Sequence, residues 1–83
     1  MPKDEVEAEK WYRRAAEQGD ASGQFLLGVM FEMKDKVEAY KWWLLAGAQG
    51  DEGAKKQIEL IERKLSIVQR AEGQRLAREF QPR

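Results

Sequence analysis

The chain has 83 residues, and its 15 Lys and Arg are balanced by 15 Asp and Glu. A chain of this length is expected to form one domain over residues 1–83 with no second large core. It contains no cysteine and no histidine, which excludes disulfides, thiolate metal sites and the usual general base near neutral pH.

The first helix is expected at about 4–18. Pro2 suits a helix start, and Asp4 with Glu5 suits the positive end of the helix dipole. Ala8, Trp11, Tyr12, Ala15 and Ala16 then recur at i, i+3, i+4, i+7 and i+8, one apolar stripe of an amphipathic helix. Gly19 ends it and Asp20 caps the second helix, at about 21–33. Gly23 and Gly28 lie inside that helix at a cost of about 1 kcal/mol each, best tolerated where another backbone comes close. After the turn at Lys34–Asp35, the third helix spans Lys36–Ala48 (KVEAYKWWLLAGA). It is apolar on nearly every side, so it is expected to be the buried middle of a helical stack. It is too short for a membrane span, which needs about 20 apolar residues. Gly50 and Asp51 lead into a fourth helix at about 52–64. Ser66 followed by Gln69 reads as a capping box, which favours a break and a fifth helix at about 67–80 over one continuous helix from 52 to 80. No strand or hairpin pattern occurs.

An internal repeat organises these helices. Val6–Asp20 (VEAEKWYRRAAEQGD) and Val37–Asp51 (VEAYKWWLLAGAQGD) are offset by 31 residues and identical at nine of fifteen positions. A period in the thirties with two helices per unit predicts an all-α fold, a short α-solenoid of about five antiparallel helices. The segment KWYRRAAEQGDASGQFLLGVMF resembles the Sel1-like repeat (SLR) family, a branch of the tetratricopeptide superfamily, at Trp11, Tyr12, Ala15, Ala16, Gly19, Gly23, Leu27, Gly28, Met30 and Phe31. The second copy continues through Trp42, Trp43, Ala46, Gly47 and Gly50 to Ala54 and Ile58, so the resemblance covers about residues 6–65. Its departures are a shortened turn at Glu32–Lys36, no first helix ahead of residue 6, and none of the paired cysteines that staple some family members. These departures suit a minimal array or the C-terminal end of a longer one, with the fifth helix resembling a closing helix. The expected core is Ala8, Trp11, Ala15, Leu27, Met30, Phe31, Val37, Trp42, Ala46, Ala54, Ile58, Ile61 and Leu65.

Little chemistry is available. Asp4/Glu5 and Asp51/Glu52 sit where helix starts favour negative charge, and no metal-ligand spacing is present. Ser22 and Ser66 have no histidine base, and GDASG and GDEGA lack the phosphate-loop pattern. An enzyme is therefore not expected, and neither is a cofactor or a catalytic or metal site. Charge is uneven, at −3 over residues 1–33, −1 over 34–53 and +4 over 54–83. This reads as solvated faces whose signs help neighbours pack, or as a basic surface for an acidic partner. Acidic residues interrupt the stripe of Arg63, Lys64, Arg70, Arg75 and Arg78, which argues against nucleic acid. The polar N-terminus has no signal-peptide apolar region, so a cytoplasmic location is expected.

The resemblance implies a non-catalytic protein-interaction adaptor or scaffold, with Gln24, Val29 and Glu32 lining a groove. The second copy replaces Glu9, Arg13 and Arg14 of the first by Tyr40, Leu44 and Leu45. With Trp43, these form either a face covered by helices 4 and 5 or an apolar patch for a protein partner. Two other functions stay open. One is a small stand-alone inhibitor of a bacterial toxin or defence effector, in a bacterium or a phage. The other is an RNA-binding helix stack, which would show a steep salt dependence. Uncapped ends at helices 1 and 5 also leave a homo-oligomer open.

Overall fold

Two Gly-Asp pairs set the frame of the chain. The computed structural model describes Pro2–Pro82, with side chains from Val6 onward. Its helices are α1 (Pro2–Glu17), α2 (Ala21–Phe31), α3 (Lys36–Ala48), α4 (Glu52–Glu62) and α5 (Ile67–Glu79), with no strand among the described residues. The roles expected of Asp4 and Glu5 concern side chains that lie outside the described residues.

Both copies of the repeat end in the same way. Gly19 and Gly50 have φ of 94° and 96°, the left-handed conformation that glycine reaches without a Cβ clash. Asp20 N–H donates to Ala15 O at 3.0 Å and Gly19 N–H to Ala16 O at 3.0 Å, while Asp51 N–H donates to Ala46 O at 3.2 Å and Gly50 N–H to Gly47 O at 2.9 Å. These paired bonds satisfy carbonyls that a helix end otherwise leaves unpartnered. Each aspartate then caps the following helix, the Asp20 carboxylate accepting from Gly23 N–H at 2.7 Å and that of Asp51 from Ala54 N–H at 2.9 Å. One dipeptide thus closes one helix and opens the next.

α2 and α4 each stop two residues short of the expected end. The chain tightens there into three-residue turns, Lys34 N–H to Phe31 O at 2.9 Å and Lys64 N–H to Ile61 O at 2.8 Å. Asp35 caps α3, accepting from Val37 N–H at 3.1 Å and Glu38 N–H at 3.2 Å. The break before α5 is a reciprocal capping box: Gln69 N–H donates to Ser66 Oγ at 3.1 Å and Ser66 N–H to Gln69 Oε1 at 2.9 Å.

α3 is the centre of the stack and packs against α2, α4 and α5, whereas the main contact of α1 is α2. Its residues supply two buried clusters. Ala39, Tyr40, Trp43 and Ala46 join Ala54, Ile61 and Leu65 in one, and Trp42 joins Ala16 and Leu27 in the other. A Cβ at Gly28 would collide with the Trp43 ring, and Trp43 Nε1–H donates to Phe25 O at 3.1 Å. Glycine at 28 therefore lets α2 seat the ring. At the positions 31 residues on stand Glu59 and Gln74, which cannot form this latch. α5 accordingly packs on α3 rather than beside α4. Gly73 lies against the Tyr40 ring, where a Cβ would be 2.5 Å from Cδ2. Arg70 fixes the approach, its Nε and Nη2 donating to Glu62 O at 3.1 and 2.8 Å.

Trp11 corrects one expectation. The repeat pattern places it in the core, yet it is 63% exposed, with the Arg14 guanidinium 5.5 Å from its ring. Its counterpart Trp42 is buried because Ala16 and Leu27, from helices that precede α3, pack against it. No described helix precedes α1.

Candidate protein-binding surfaces

The seven side chains expected to meet a partner do not form one surface. Tyr40 and Trp43 have no exposed area. α4 and α5 meet Tyr40 and α2 seats Trp43, so the patch reading is corrected to core for these two. Tyr40 Oη donates to Glu62 Oε2 at 2.7 Å and accepts from Gln74 Nε2 at 3.1 Å. Burial, reinforced by the neighbouring Glu62 carboxylate, pushes the phenol above its ordinary pKa. Leu44 and Leu45 are half-buried, Leu44 packed against the first cluster and Leu45 against the second.

Gln24 is also corrected, from groove to interior. Its Nε2 donates to Ala16 O at 3.3 Å, and its Oε1 accepts from Gln49 Nε2 at 3.0 Å. Gln49 Nε2 reaches Gly19 O as well, at 2.8 Å. The buried amide thus ties α2 to the ends of α1 and α3, which is why a polar residue survives burial there.

Val29 remains 44% exposed, and Glu32, three residues on, is half-buried. Two residues that the sequence reading did not single out enlarge this side. Leu26 is exposed and shares one side of the α2 axis with Val29 at i, i+3 spacing, and Met33, in the turn past the end of α2, is 91% exposed. Around the edge, a cavity of about 610 Å³ opens between Val6, Met30 and Met33, rimmed by Glu9 and Lys34. Glu9 Oε1 and Lys34 Nζ are 3.6 Å apart. The helical stripe of α2 in the sequence carried the signal for this surface, since it has more apolar residues than one buried face needs.

Trp42 floors a second concavity. The Phe80 ring meets it edge-on with centroids 5.4 Å apart, and Lys41 Nζ lies 4.3 Å from the Trp42 centroid. No periodic signal marks Phe80, which lies just past the end of α5. Among the described residues, no group of three or more acidic side chains converges on a metal-sized site. No described helix is long and apolar enough to cross a membrane.

A family model described as Sel1 repeat matches residues 1–20 and 21–51, which together are the first 51 of the 83 residues. The chain belongs to the Sel1 repeat family. No curated protein and no solved structure gives a match. The second match spans α2 and α3 with their closing Gly-Asp, and the first covers α1 and its closing pair. α4 and α5 lie beyond the matched residues, so the family match is shorter than the resemblance expected to residue 65. The lost latch at Glu59 and Gln74 is the structural side of that difference. Sel1 repeats are generally protein-interaction modules rather than enzymes.

Proposed function

We propose that this Sel1 repeat chain is a non-catalytic adaptor that binds a protein partner through the outer side of α2. The observation that carries the reading is the exposure of Leu26 and Val29 on one side of α2, continued by Met33 in the turn that follows, while Gly23, Gln24, Leu27 and Gly28 are buried on the other side. Apolar side chains grouped at helical spacing and rimmed by charge are what a partner helix or loop covers. Glu32, Glu9 and Lys34 supply such a rim and would fix the partner's orientation more than its affinity. Membership of the family supports the class of function and leaves the partner to the surface chemistry.

The test is affinity capture with the full chain and with a Leu26→Arg/Val29→Arg variant. A stoichiometric protein held by the wild type and lost by a variant of unchanged helicity is the expected result. Identical capture by both, or none by either, overturns the reading. Leu44 and Leu45 are unsuitable for this experiment because they pack against the two clusters, and arginine there would unfold the chain.

A further inference from the structure

The chain leaves α5 at Phe80 with φ −67° and ψ 135°, an extended conformation. Phe80 then seats against Trp42, and Pro82 reaches Gly19, whose added Cβ would stand 3.5 Å from the proline Cβ. This short strap crosses from α5 to the closing turn of α1. Open space flanks it on both sides. One cavity of about 290 Å³ is bounded by Arg13, Glu38, Lys41 and Phe80, and another of about 300 Å³ by Gln24, Leu45, Gln49 and Phe80. Phe80 is a wall common to both and Trp42 lines the first, so the two make a trough that the strap divides.

We propose that this trough is a docking site for an extended peptide segment bearing an aromatic side chain, and that Phe80–Pro82 occupies it in cis until a partner's segment displaces it. The proposal rests on the reading of the chain as a protein-binding module and names a partner chemistry for a second surface. Three observations carry it. The strap itself shows what the trough accepts, an aromatic ring set edge-to-face with Trp42 at the residue where the backbone turns from helix to extended chain. The strap underfills the space, as the two flanking cavities show. Trp42 Nε1 is the buried side-chain donor left without an acceptor among the described residues, a deficiency that costs free energy until a carbonyl meets it. The rim near Phe80 carries Arg13 and Lys41 against Glu17 and Glu38, so its charges cancel. That balance favours a peptide read by its ring and backbone over a phosphate chain.

Displacement does not require α5 to leave. α5 is held upstream by Arg70 on Glu62 O, by Gln74 on Tyr40 Oη and by Gly73 against the Tyr40 ring. The residues past Glu79 can therefore exchange while the helix stays docked. Because the strap is tethered, a free peptide competes against a high effective concentration.

The probe is a synthetic peptide of residues 76–83 (LAREFQPR), titrated into the full chain and into its Phe80→Ala variant. The readout is the Trp42 indole N–H resonance. The expected result is saturable binding to a folded Phe80→Ala variant, with the wild type needing at least about tenfold more peptide. A control peptide with alanine in place of the phenylalanine should give no response. A folded variant whose Trp42 signal ignores the peptide, or equal binding by variant and wild type, overturns the proposal. If Phe80→Ala does not fold, Phe80→Leu is judged by the same two readings. If neither folds, the strap is structural cover and the proposal is wrong. Failure here with partner capture through Leu26 and Val29 intact rejects the trough alone, and the converse rejects the α2 surface alone.

Discussion

Trp11 and Trp42 occupy the same place in the repeat and have opposite surroundings. Trp42 is covered by Ala16, Leu27 and Phe80, while Trp11 is 63% exposed with Arg14 over its ring. The residue type predicts burial of both, and the neighbours decide. Trp42→Ala should therefore cost about 3–5 kcal/mol, and Trp11→Ala under about 1 kcal/mol. Urea denaturation of the two variants measures the difference, and equal costs would mean that something covers Trp11 in solution. Gln24 teaches the same lesson in reverse. A glutamine in a helix reads as solvent-facing, but its partners Ala16 O and Gln49 come from other helices and were not legible from local sequence. α3 is apolar on nearly every side, which leaves little direction to assign. A helix with so small a polar face does not say which neighbour meets Tyr40 and which meets Leu45.

At the scale of the element, the helix ends were the legible part. Gly-Asp closes and caps by bonds within a few residues, and so does the Ser66–Gln69 box. The docking of α5 was not legible, because it depends on contacts 22 to 34 residues apart that meet at Tyr40. That hydroxyl gives α5 a pH dependence. Burial, first, and the Glu62 carboxylate raise the Tyr40 pKa above its unfolded value near 10. The neutral phenol is thus favoured by folding. Its contribution is complete below the unfolded pKa and is lost as pH rises through the higher folded value. Tyr40→Phe should lower stability by about 1 kcal/mol at neutral pH through the lost hydrogen bonds. The deficit should shrink as pH rises beyond 10, when the wild type must ionise a buried group or loosen α5. Chemical denaturation of both proteins at neutral and alkaline pH checks this. A deficit that stays constant across the range would remove Tyr40 as the titrating link.

For the whole molecule, the decisive feature is that α3 belongs to both clusters. Trp43 and Tyr40 lie in one and Trp42 in the other, so neither cluster can be lost while α3 stays in place. α1 is held differently. Its main packing is with α2, its buried contribution to the clusters is Ala16 near the C-terminal end, and Val6 and Trp11 further back are 55% and 63% exposed. Few buried apolar contacts mean a low free energy of local opening. Native-state hydrogen exchange should therefore grade along the stack. The amides of α3 should exchange only through global unfolding, with protection matching the denaturation free energy. Those of α1 between Val6 and Trp11 should exchange through local opening and respond little to low denaturant. If α1 exchanged as slowly as α3, either a second copy of the chain would cover its open side or the helix would be stable by itself. Protection that falls on dilution marks the homo-oligomer, and protection independent of concentration marks an intrinsically stable first helix.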